Sequence, residues 1–161
     1  MHYCTGIHDL LVRSVLARPD VDDVLAQIAA VAPEGFNFGF HVRFSRPAMV
    51  KMTYRLDWSK HYSERKFILC DPSVIWAMMN DGAARWSEIE LADPLGVMDS
   101  AADHGYPYGV AVGRGEVESK TIGSCGRSDR EFTDDEISMI SDAVSLVHEM
   151  LAQGPGLKQH H

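Results

Sequence analysis

Two neighbouring segments alternate between apolar and other side chains, and this period of two constrains the fold more than any other feature. In residues 36–44 the apolar positions are Phe36, Phe38, Phe40, Val42 and Phe44. In residues 49–56 they are Val50, Met52, Tyr54 and Leu56. Successive side chains of a strand point to opposite faces, so both segments predict strands with one buried face. The Ser-Arg-Pro run at 45–47 predicts the turn that joins them.

Helical patterns flank these strands on both sides in the sequence. Apolar residues recur at helical spacing in residues 7–18 and again in 21–28, where Asp20 is the candidate cap. Thr133 and Glu136 form a capping box that opens a long helix. Further helices are predicted at 57–66, 73–80 and 95–104, and strands near 110–112 and 116–125. This order predicts an α/β (α+β) fold, an α-β-α sandwich with a central antiparallel sheet, whose fifth strand has no clear position.

The length and the composition predict one globular domain. The chain has 161 residues, of which 45% are hydrophobic and 24% charged, close to the average of globular proteins. The Gly-Pro-Gly run at 154–156 predicts the end of the last helix. We therefore expect the domain to span residues 1–153 and residues 154–161 to be the start of a linker or a cloning remnant.

Charge and cysteine content restrict the partners and the compartment. Fifteen basic against 23 acidic residues give a formal charge of −8, which would repel a nucleic-acid backbone. Cys4, Cys70 and Cys125 are widely spaced and odd in number, as expected for reduced thiols in the cytoplasm. The first twenty residues lack the pattern of a signal peptide, and no segment predicts a membrane span.

Aromatic residues are concentrated in residues 54–86, although they form only 9% of the sequence. Trp58 and Tyr62 are four residues apart and would share one face of a helix. Tyr54 would point inward from its strand. Buried phenol and indole groups need hydrogen-bond partners, which a small polar ligand head could supply. For Tyr62 and Trp86 the sequence allows two interpretations, plain core packing and contact with a ligand.

Asp71 precedes Pro72 and has two readings. An Asp followed by Pro is typical of a helix start, where the carboxylate caps free backbone N–H groups. Alternatively, the carboxylate faces a chamber of aromatic side chains and accepts one ligand N–H. A carboxylate has enough lone pairs for both tasks.

The ordered set Tyr54, Trp58, Tyr62, Asp71-Pro72 and Trp86-Ser87 resembles the autoinducer-binding domain of LuxR-type quorum-sensing transcription factors. Members of this family bind N-acyl homoserine lactones. The resemblance implies a PAS- or GAF-like sandwich in which the ligand lies between the sheet and one helical layer. No cofactor is expected, and no metal site either, since the eight histidines include no His-x-x-x-His spacing.

The resemblance also assigns a role to each matching residue. It implies that Trp58 donates to the lactone carbonyl, that Asp71 accepts from the ligand amide N–H, and that Tyr54 donates to the amide carbonyl. Tyr62 and Trp86 would wall the pocket. Thr121 would assist at the amide carbonyl from a strand that lines it.

The sequence departs from the family pattern at the end that would hold the acyl tail. The segment after Gly109 is short and lacks the usual proline, and Glu118 and Lys120 stand where small or apolar residues are usual. These departures leave the acyl length open and are also compatible with an aryl or non-lactone ligand.

The function expected from the resemblance is ligand sensing coupled to folding, homodimerisation and control of DNA binding. DNA would be contacted only through a helix-turn-helix domain, which this sequence lacks. Two alternatives remain: a GAF- or PAS-like dimerisation module for another small molecule, and a stand-alone partner that inactivates full-length regulators. An enzyme is not expected, since Ser63-x-x-Lys66 and the Lys-Thr run at 120–121 are only fragments of a β-lactamase pattern.

Overall fold

The structure, a computed structural model, describes residues 18–44 and 46–152. The helices are α1 (Pro19–Val31), α2 (Leu56–Glu64), α3 (Pro72–Met79), α4 (Val97–Asp103) and α5 (Asp134–Ala152). The strands are β1 (Phe36–Val42), β2 (Met49–Met52), β3 (Gly82–Arg85), β4 (Tyr108–Arg114) and β5 (Lys120–Arg127). Short 3₁₀ turns lie at Phe67–Leu69, Trp86–Glu88 and Val117–Ser119.

The strands form one antiparallel sheet in the order β2-β1-β5-β4-β3. Helices α1 and α5 pack together on one face and bury the Phe36, Phe38 and Phe40 side chains against it. Helix α3 covers β4 and β5 on the other face, where α2 and α4 contribute Trp58 and Val97 to a second apolar cluster. The predicted α-β-α sandwich with a central antiparallel sheet is confirmed.

The helix starts follow the capping chemistry in part. Asp71 caps α3 with Pro72 in its first turn, and Thr133 with Glu136 forms the predicted capping box of α5. The expectation for Asp20 is wrong: α1 already begins at Pro19, and the Asp20 carboxylate pairs with Arg18 instead of a backbone N–H. Proline supplies this start because it needs no N–H partner at a first helical position.

Both predicted strands are shorter than their alternating patterns. In β1 the register shifts between Gly39 and Val42, with a positive φ of 49° at His41, so the alternation ends before Phe44, which is fully exposed. Strand β2 ends at Met52 because Leu56 already begins α2. Tyr54 still points inward and is 9% exposed.

Strand β3 and the start of helix α4 lie where the sequence has no clear hydrophobic pattern. The fifth strand is β3, whose Gly-Ala-Ala-Arg sequence carries no apolar alternation. The helix predicted at 95–104 begins at Val97, and Asp93 accepts from the backbone N–H groups of Val97 and Met98. Residues 7–17 of the helix predicted at 7–18, and the domain end predicted at 153, fall outside the described residues.

Candidate functional site

A chamber of aromatic side chains lies on the face of the sheet that α3 covers. Its buried members come from α2, α4, the Phe67 turn and the segments flanking β2 and β4, with Tyr62, Cys70 and Trp86 packed around them. The fully packed side chains are Tyr54, Trp58, Phe67, Val97, Ala101 and Tyr106. We refer to this group as the aromatic chamber.

Helix α2 gives the chamber one wall. The rings of Trp58 and Tyr62 meet edge to face with centroids 5.6 Å apart, as their four-residue spacing predicted. Trp58 is 4% exposed and also touches Phe67 and His104. The only basic residue in the last turn of α2 is His61, whose ring lies 4.6 Å from that of His104. The indole of Trp58 is therefore enclosed by rings.

Asp71 does two jobs with its two oxygens. Oδ1 accepts from the backbone N–H of Ser73 at 2.8 Å and from its hydroxyl at 2.7 Å, which caps α3. Oδ2 accepts from the Tyr62 hydroxyl at 2.7 Å and so faces the aromatic chamber. A carboxylate offers about four lone-pair positions, so one position on Oδ2 stays available. Both readings of the Asp-Pro pair are thus compatible with the geometry.

Tyr54 is tied to β5 through Ser124. Their hydroxyl oxygens are 2.7 Å apart. Burial raises the pKa of Tyr54 well above its ordinary value, and burial together with the Asp71 charge raises the pKa of Tyr62. Both phenols therefore stay protonated at neutral pH and remain hydrogen-bond donors.

Trp86 lies flat on β4. The indole ring packs directly against Gly109, and a side chain at that position would clash with it. Within residues 18–44 and 46–152, the indole Nε1 of Trp86 is the buried side-chain polar atom that lacks a hydrogen-bond partner. Such a group costs about 1–3 kcal/mol until it finds an acceptor.

Five of the six predicted site residues come together here, and Thr121 does not. Thr121 is fully buried on the opposite face of the sheet, where its hydroxyl lies 2.5 Å from His148 Nδ1 on α5. Ser124 is three positions further along β5 and therefore faces the other way, towards Tyr54. The sequence analysis did not single out Ser124. Once Thr121 is known to face α5, the period of two along β5 identifies Ser124 as a residue of the chamber face.

Tyr106 is a second member of the chamber that the sequence did not single out. Its ring meets that of Tyr54 edge to face at 4.9 Å. Its hydroxyl donates to the Glu34 carbonyl at 2.6 Å and accepts from the Arg55 N–H at 3.1 Å. Because its hydroxyl both donates and accepts a hydrogen bond within the protein, Tyr106 stabilises the wall of the chamber.

Three further features that the sequence raised are a catalytic Ser-Lys pair, a metal site and a membrane span. Ser63 and Lys66 are exposed at and after the end of α2, outside the aromatic chamber. In the part of the chain that the structure describes, no three His, Cys, Asp or Glu side chains are grouped so as to hold a metal ion. Of the helices in these ranges, none is long and apolar enough to cross a bilayer.

Comparison with known proteins identifies the family. The family described as "Autoinducer binding domain" matches residues 36–153. No curated protein matches the sequence significantly.

Solved structures share the fold. One is the N-acylhomoserine lactone dependent LuxR family transcription factor CepR2 from Burkholderia cenocepacia, with a TM-score of 0.58, 18% identity, and coverage of 87% of this chain and 93% of that chain. Another is Escherichia coli SdiA, with a TM-score of 0.62, 20% identity, and coverage of 92% and 68%. SdiA in complex with octanoyl-rac-glycerol matches with a TM-score of 0.62, 17% identity, and coverage of 98% and 70%.

Proposed function

The chain belongs to the autoinducer-binding domains of LuxR-type regulators, and on this premise we propose that it senses an N-acyl homoserine lactone bound in the aromatic chamber. The ligand head carries two carbonyl acceptors and one amide donor, followed by an apolar tail. The chamber offers a complementary set of donors, one acceptor and apolar walls.

The observation that carries this proposal is the buried Asp71 carboxylate. It is 5% exposed and borders aromatic rings, and three of its acceptor positions are filled by Ser73 and Tyr62. The remaining position on Oδ2 accepts the ligand amide N–H. A hydrogen bond to a charged group contributes about 1.5–3 kcal/mol, enough to orient the head.

The proposal assigns the remaining hydrogen bonds of the ligand head to nearby donors. The Tyr54 and Ser124 hydroxyls share a hydrogen bond in which either can donate. In the proposed complex Ser124 is the donor, which leaves the Tyr54 O–H to donate to the amide carbonyl. Trp58 donates its indole N–H to the lactone carbonyl, and Tyr62 and Trp86 form the walls. Ser124 takes the supporting place that the sequence had given to Thr121.

Ligand binding completes the core of the domain. In the described part of the chain the Trp86 Nε1 atom is buried without a hydrogen-bond partner, so a ligand that brings an acceptor and apolar contacts to the chamber stabilises the folded state. We propose that this ordering supports homodimerisation in the cytoplasm. In a full-length regulator it would control DNA binding through a separate helix-turn-helix domain.

The experiment is to express and purify the protein with and without a panel of short- and long-chain N-acyl homoserine lactones. Ligand at a hundred times its Kd adds about 2.7 kcal/mol to the stability of a domain that binds it only when folded. We expect a higher yield and a higher melting temperature with the cognate lactones only. An unchanged melting temperature across the whole panel would contradict the proposal and favour a dimerisation module for another small molecule.

A further inference from the structure

A buried lysine stands at the start of β5. Lys120 is 7% exposed, and its Nζ lies 3.0 Å from Asp81 Oδ1. Asp81 also accepts from the Gly115 N–H at 3.0 Å and lies 4.0 Å from Arg114, so its charge is shared between two cations. Among the described residues, Asp81 is the one acceptor hydrogen-bonded to the Lys120 ammonium, which has three N–H donors.

The alternation of β5 places this lysine on the face of the proposed ligand site. Ser124, Ile122 and Lys120 are two residues apart and share one face of the strand. Ser124 bonds Tyr54 in the aromatic chamber, while Thr121 and Cys125 face α5 and the other core. Lys120 therefore lies about 13 Å from Ser124 along the same surface, at a rise of about 3.3 Å per residue.

Two aspartates that flank helix α3 give a second measure of the distance between the proposed head site and Lys120. Asp71 caps its first turn, and Asp81 follows its end by two residues. Its eight residues rise about 12 Å, which agrees with the distance along β5. The carbonyls of Ala77 and Asn80 approach Gly113, the strand partner of Ile122, so the helix covers this stretch.

The surface between the two ends is apolar or small. Ile122 pairs with Gly39 of β1, and Gly39 pairs with Val50 of β2. Val50 remains 39% exposed on this face. A chain that leaves the head site beside Tyr54 and Ser124 therefore crosses an apolar floor before it reaches an ammonium group.

Building on the proposed function, we propose that Lys120 determines specificity at the tail end. The site takes an acyl lactone whose chain ends in an oxygen acceptor, a hydroxyl or a carboxylate, which accepts a hydrogen bond from Lys120 Nζ. A plain alkyl end of the same length would bury apolar atoms against an ion pair and leave two ammonium donors unpaired.

The test compares synthetic N-acyl homoserine lactones of equal chain length that end in a methyl, a hydroxyl or a carboxylate group. Calorimetric titration of the wild-type protein should show at least about tenfold tighter binding of an oxygen-ended ligand at the best length. Lys120→Met has a side chain of similar length without the donors, so its preference should change to the methyl-ended ligand.

The matched control is Lys51→Met. Lys51 also pairs with an aspartate, Asp22 of α1, at 2.7 Å, but it lies on β2, which β1 separates from β5. This variant should keep the wild-type preference. Equal affinity for all three ligands in the wild type, or the same preference in Lys120→Met, would overturn the role of Lys120 and leave lactone sensing intact. Binding of none of them at any length would overturn both.

Discussion

At the scale of single residues, Asp71 joins the start of helix α3 to the proposed ligand site. Its Oδ1 caps α3 and its Oδ2 faces Tyr62 and the chamber. Helix capping therefore uses Oδ1, and the proposed ligand recognition uses the other oxygen of the same side chain. A substitution that keeps an oxygen at the cap but removes the charge separates the two functions.

Asp71→Asn is expected to bind the cognate lactone roughly tenfold or more weakly, because the charge-assisted bond to the amide N–H is lost. The melting temperature without ligand should change little, since an asparagine also caps helices. Calorimetric titration and thermal melting measure the two quantities. Asp93→Asn, at the carboxylate that caps α4, is the matched control and should bind normally. Normal binding by Asp71→Asn would reduce Asp71 to a cap.

A second residue-scale prediction concerns the buried histidines on the opposite face. The rings of His41 and His148 stack with centroids 3.9 Å apart. Burial lowers the pKa of His148 from 6.5, and His41 lowers it further. Arg114 also lowers this pKa, whereas Glu149 and Asp81 raise it.

Because the folded pKa is below the unfolded one, the stability contributed by neutral His148 is complete above pH 6.5 and is lost as the pH falls below it. The melting temperature should therefore fall between pH 7 and pH 5. His148→Gln should be less sensitive to pH over this interval. An equal pH dependence in both proteins would show that the histidine pair does not control it.

At the scale of elements, the long helix α5 begins at a reciprocal cap. Thr133 Oγ1 accepts from the Glu136 N–H at 3.2 Å, and Glu136 Oε1 accepts from the Thr133 N–H at 2.9 Å. The Arg130 guanidinium hydrogen-bonds Glu136 and holds its pKa at about 2. The sequence predicted the start of this helix because the residues that form the cap lie within a few positions of one another.

Thr133→Ala should lower the free energy of unfolding by about 1 kcal/mol, the usual loss for a removed cap. Glu136→Gln should also be less stable at pH 7. Because the folded pKa of Glu136 is depressed from 4.5, this difference should shrink as the pH falls from 4.5 towards 2. Urea unfolding at several pH values measures both effects. A pH-independent difference would exclude the Glu136 charge as its cause.

Elements whose partners are distant in the sequence were predicted less well. The period of two identified β1, but only the bulge at His41 determines which side chains after Phe40 face the core. Thr121 and Ser124 differ in face because the register of β5 is fixed by pairing with β1 and β4. Strand β3 has no apolar pattern of its own and is held by pairing with β4. Tertiary pairing supplies the information that local patterns lack.

At the scale of the whole molecule, the order of helices and strands was sufficient to predict the sandwich, and the aromatic and acidic residues of 54–86 were sufficient to predict one chamber. The sequence alone did not show that Lys120 lies on the chamber face, because that placement depends on the register of β5.

The formal charge of −8 predicts how the domain behaves by itself. It should not shift double-stranded DNA in a gel at physiological salt, with or without lactone, because phosphate repels it. Light scattering should report a dimer mass when the cognate lactone is present. Retarded DNA, or a monomer mass with saturating lactone, would contradict these expectations.

The central claim is that one amide-linked lactone occupies the chamber between α3 and the sheet. Native mass spectrometry of protein purified from lactone-fed cells tests it most directly. We predict a species heavier than the chain by the mass of one lactone, which is depleted in Asp71→Asn purified in the same way. Protein that carries no bound small molecule from any lactone feed would contradict the claim.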